Sequence, residues 1–109
     1  MAADPTVASL GPHAEAAHAA AAEHGADQYI APLADMTRRV FCDVRTVRLH
    51  LEDDPVTEDA DDWRIVFRVE VACPAESAAK EIRTWYRELF DTCPAPKACL
   101  FSLALRVVD

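Results

Sequence analysis

Glycine is scarce in this 109-residue chain, which has two, Gly11 and Gly25. That excludes collagen-like repeats and the glycine-rich loops that cradle phosphates, because both need several residues without a Cβ where the backbone turns sharply or approaches a ligand. Lysine and arginine are absent from residues 1–37, which carry Asp4, Glu15, Glu23, Asp27 and Asp35 instead. A secretory signal needs a cationic start and a transit peptide needs arginines without acids, so neither is expected. Apolar runs are short, and the alanine tract at residues 19–22 falls far below the roughly 18 residues that span a bilayer. A cytoplasmic protein with no membrane partner is therefore expected. The four cysteines, Cys42, Cys73, Cys93 and Cys99, contain no CxxC spacing. In a reducing compartment they are expected to remain thiols, and neither a metal centre nor a cofactor is expected.

What is present has an ordinary globular balance. Apolar residues make up 51% of the chain and charged ones 28%, which suits a single domain over residues 1–109. A chain of this size can hide roughly 65% of its unfolded surface, enough for a core without staples. Nineteen acids against eleven bases give a net charge of −8, which argues against a chain wholly devoted to nucleic acid. The acidity is uneven: residues 1–37 carry −5, residues 52–62 carry −7, and the remaining segments carry +4.

Residues 11–25 are bracketed as a helix, with Pro12 at its start and Gly25 just past its end. Its alanines favour helix but bury little area, so it should lie against the domain and not at its centre. Pro32 opens a second helical stretch in which Leu33, Met36, Val40 and Phe41 share one stripe. From Val44 to Glu52, and again from Trp63 to Val71, the period changes to two. These runs predict a hairpin whose acidic connection is residues 52–62. Pro74 starts a helix to about Asp91, with Ala79, Ile82, Tyr86, Leu89 and Cys93 or Phe90 expected on its buried face. Residues 100–108 alternate as a third strand. The order α-β-β-α-β predicts an α+β fold, a small antiparallel sheet of three or four strands with helices on one face. A short edge strand at Thr6–Leu10, within the N-terminal segment 1–12, would complete it to the ferredoxin-like βαββαβ arrangement.

Several residue sets invite a chemical reading. His13, His18 and His24 lie in the first helix, but at about 100° per residue His18 falls about 140° from His13, and His24 is too far along the axis to share a metal. His50 and Glu52, with Cys73, Cys93 and Cys99, supply the residue types of a zinc deaminase. That chemistry needs two cysteines one turn apart, whereas the run from Cys93 to Cys99 reads CPAPKAC. Cys73, with Pro74 at the first helical position, is placed at a helix N-cap where a thiolate is favoured, although Glu76 in the same turn opposes a second negative charge. It is the candidate reactive thiol.

Two charged sets are the candidate binding residues. The acidic connection, with Asp53, Asp54, Asp59, Asp61 and Asp62, reads as a handle for a basic surface, and it lacks the glycine and distal glutamate of a calcium loop. Arg48, His50, Arg64, Arg68 and Arg106 all fall in the register opposite the apolar one, so they are expected together on the polar face of the sheet. Exposed aromatics for base stacking are missing from that register. The expected function is a non-enzymatic protein-interaction module, a homodimer or an accessory subunit that neutralises a basic partner as an acidic antitoxin would. The competing expectation is a nucleic-acid-binding domain using the same arginines.

Overall fold

Residues 10–53 and 63–108 are described in the computed structural model of the chain. The alanine-rich segment forms helix α1, Ala14–Glu23, with Ala14, Ala17 and Ala21 buried along one side. Small residues at i, i+3 and i+7 allow close approach, and α1 packs on strand β1, Val44–Asp53. The helix starts after His13, two residues later than Pro12 suggested, and Gly25 follows its end at φ +67°, a conformation that strains any residue with a Cβ. One 3₁₀ turn, Asp27–Tyr29, breaks the chain before helix α2, Ile30–Val40. Pro32 therefore sits inside the first turn of α2, where its missing N–H costs nothing.

Strand β2, Trp63–Val71, pairs antiparallel with β1 as the alternation predicts, with Leu49 opposite Phe67 and Arg48 opposite Arg68. Strand β3, Phe101–Val107, pairs with β2 in parallel. The sheet is thus mixed, not antiparallel as expected. Helix α3, Ala75–Thr92, explains the difference: its 18 residues run about 27 Å, which returns the chain past the length of β2 before β3 begins. A single turn, α4, Ala95–Ala98, completes the crossover. A split ferredoxin-like unit would hold another strand between β2 and β3, but these two pair directly, so that arrangement is not the one adopted. Of the proposed N-terminal edge strand, residues 6–9 lie outside the described residues. Leu10 is in a turn, and its carbonyl accepts a hydrogen bond from Leu49 N–H at 2.8 Å.

Strand β1 contains a bulge. Val44 is opposite Val71 while Thr46 is opposite Glu70, so Arg45 is an extra residue. Without it Val44 would share the polar face with Thr46; with it Val44 packs against the core.

One cluster of buried residues joins all the elements. Trp85 is fully buried and meets the Phe67 ring edge-on, with centroids 6.0 Å apart. Thr37 is the buried polar residue of α2; its hydroxyl donates to Leu33 O at 2.7 Å and accepts from Trp85 Nε1–H at 2.8 Å. Helix α3 buries Ala78, Trp85 and Leu89, with Ile82 half-buried, while Ala79 and Tyr86 are exposed and Phe90 is 53% exposed. The expected face is thus rotated by about one residue, because Trp85, left out of the expected stripe, dominates the packing.

Candidate anion-binding face and thiol cluster

Cross-strand partners share a face of a sheet, so register alone assembles the polar side of this one. Three rows cross it: Thr46, Glu70 and Arg106; Arg48, Arg68 and Ala104; His50, Val66 and Ser102. Arg64 lies beyond, opposite Glu52. All five residues expected on the polar face are therefore brought together, and Arg48, Arg64, Arg68 and Arg106 are exposed. His50 is half-buried beside the N-terminus of α1, its ring 4.9 Å from that of His13. Burial, then Arg68, His13 and Arg48, hold its pKa below the ordinary value, and Glu52 opposes them.

Arg48 and Arg68 stand directly opposite one another, a like-charge pairing that is unfavourable in a sheet unless something neutralises it. Glu52 pairs with Arg68. Arg48 and Arg106 have no ion-pair partner among the described residues. Between these three arginines lies a hollow of about 280 Å³, lined also by Thr46, Glu70 and Ala104. The Thr46 hydroxyl is buried there without a hydrogen-bond partner. Guanidinium groups around a hollow, with a spare hydroxyl at its side, suit a carboxylate or a phosphate. The acidic connection contributes Asp53, whose backbone closes the hairpin opposite Trp63. Asp54, Asp59, Asp61 and Asp62 lie outside the described residues.

Cys73 is not the N-cap of α3. Pro74 takes that position, Cys73 lies one residue outside, and no side-chain capping bond forms, so the expected cap is not present. The ring of Pro74 fixes φ near −58° and turns the chain extended before the helix. The buried Cys73 thiol instead donates to Glu81 Oε2 at 3.9 Å. Cys42, from the connection between α2 and β1, completes a group whose three donor atoms all lie within 4.8 Å of one another. Hydrogen bonding with Cys73 and Glu81 pushes the Cys42 thiol up to about 11. Burial likewise raises Cys93, against a lowering by Lys97.

Sequence reasoning missed Thr46, Glu52, Cys42 and Glu81. Glu52 and Thr46 were legible as members of the polar register. Cys42 and Glu81 carry no local signal, since 39 positions separate them in sequence.

No family model, curated protein or solved structure matches the chain. Among the described residues its own geometry defines a small α+β protein with a mixed three-stranded sheet and an arginine-bearing face, and no helix long and apolar enough to cross a membrane.

Proposed function

We propose that the protein is a non-enzymatic interaction module whose arginine-bearing sheet face receives an acidic segment of a partner protein, in the cytoplasm. The observation that carries this reading is the hollow between Arg48, Arg68 and Arg106, where two of the three guanidinium groups make no ion pair among the described residues, although Glu70 also lines it. Arginine forks bind carboxylates bidentately, and arginine is favoured at protein interfaces. The exposed side chains of the face are chiefly the four arginines and Ala104, with the half-buried Glu52 and Glu70 among them, and Phe67 and Phe101 are buried in the other register. Bases would find no Phe ring there to stack on, which favours an acidic peptide over a single-stranded nucleic acid. The acidic connection supplies a second handle of opposite sign, suited to a basic surface on the same partner.

The test is fluorescence anisotropy with a labelled oligoglutamate peptide and a labelled single-stranded oligonucleotide of equal charge, alongside sedimentation of the protein alone. The peptide should bind more tightly than the oligonucleotide, and Arg48→Glu with Arg106→Glu should abolish binding. Tighter oligonucleotide binding would give the face to nucleic acid. A dimer that the same substitutions dissolve would identify a second copy as the source of the acidic segment. A monomer that binds neither probe at low salt would end the reading.

A further inference from the structure

The thiol cluster shares no residue with the lining of the arginine hollow and has a chemistry of its own. Cys42 follows α2, Cys73 follows β2, and Glu81 is on the second turn of α3, so three elements converge on one point. A backbone hydrogen bond from Ala72 N–H to Asp43 O, at 3.0 Å, ties the two cysteine-bearing connections together. Asp43, at φ +50°, takes the left-handed conformation as the chain leaves Cys42. That is uncommon for a residue with a side chain, and aspartate is among the few that tolerate it.

We propose that Cys42, Cys73 and Glu81 form a zinc-binding site with an open fourth position. In a tetrahedral site with Zn–S near 2.3 Å, neighbouring donors are about 3.8 Å apart. The three donor atoms lie within 4.8 Å of one another and Cys73 Sγ is 3.9 Å from Glu81 Oε2, so side-chain adjustments of about 1 Å or less bring them to that spacing. Two sulfurs and one carboxylate oxygen select for zinc: magnesium and calcium want oxygen alone, and copper(I) favours sulfur. Three donors that become anions crowd together here, and a divalent cation would neutralise most of that charge. Cys42 is exposed and Glu81 half-buried, which leaves an entry path and room for a water or an external ligand as the fourth donor. No histidine belongs to the cluster, so the site does not depend on the histidines of α1.

The experiment uses the full chain, reduced and stripped with a chelator. Zinc is titrated against a chromophoric competitor, and cobalt(II) serves as the spectroscopic probe. One equivalent of zinc should bind, and the cobalt complex should show thiolate-to-metal charge transfer with tetrahedral d–d bands. Cys42→Ser should weaken zinc binding by about 100-fold or more, since even residues outside the coordination shell are worth about 10- to 100-fold. Glu81→Gln should weaken it too, and Cys99→Ser should leave it unchanged. Cys73 is buried, so its substitution confounds folding with ligation; the exposed Cys42 carries the test. Absence of uptake by the reduced protein, uptake unchanged in Cys42→Ser, or a thiolate-free octahedral cobalt spectrum would each overturn the proposal. A Cys42–Cys73 disulfide in a protein that takes up no zinc once reduced would do the same.

Discussion

Thr37 joins helix to helix through a single hydroxyl. It donates within α2 to Leu33 O and accepts the indole N–H of Trp85 from α3. Thr37→Val preserves shape but strands a buried indole donor, which costs about 1–3 kcal/mol. A lowered urea midpoint with an unchanged slope is the expected result. Adding Trp85→Phe should cost less than the two single losses combined, because the donor disappears with the acceptor. His50 makes a pH prediction. Its folded pKa lies below the unfolded value of 6.5, so as pH falls the unfolded chain takes up the proton first. The contribution of the neutral imidazole is intact above that value and is lost as pH falls through the folded pKa. His50→Gln removes the titration, so the variant should lose less stability than the parent between about pH 7 and about pH 5 in urea unfolding.

Among the elements, α3 tests the phase of the buried face. Leu89 is 1% exposed and its neighbour Phe90 is 53% exposed. Leu89→Ala should cost about 2–5 kcal/mol, whereas Phe90→Ala should stay within about 0.5 kcal/mol of the parent in chemical denaturation. Periodicity located this helix and each strand to within a residue or two, since alternation and the 3.6-residue repeat are local properties of the chain. It misjudged the helix phase because Tyr86 and Phe90 looked as apolar as Trp85, and only the facing sheet and α2 decide among them. Strand direction was harder to read. An 18-residue helix between β2 and β3 is the crossover a parallel pair needs, but the alternation within each strand carries no record of its direction. The polar face was legible because sheet parity is a strict rule with a single exception at Arg45, where a bulge turns Val44 inward. The thiol cluster was not, because it depends on where two connections meet in space.

For the molecule as a whole, the net charge of −8 hides two opposed electrostatic effects. The segments 1–37 and 52–62 carry the acid, −5 and −7, while the remaining segments hold +4 and include all four arginines of the polar face. Self-repulsion among acids opposes the compact state, and salt screens it beyond about 10 Å at 0.1 M. Raising salt should therefore stabilise the fold, and each ~1 kcal/mol of relieved repulsion lifts the melting temperature by about 4 to 8 °C in a chain of this size. The same screening weakens attraction between the arginines and an acidic peptide. Thermal unfolding and peptide anisotropy across one salt series should consequently move in opposite directions. Arg48→Glu should erase the peptide response while leaving the thermal one in place, because the repulsion arises mainly in segments that Arg48 does not belong to. If salt strengthened peptide binding, or if the Arg48→Glu protein still bound the peptide with the parent's salt dependence, the arginine face would not be the binding surface.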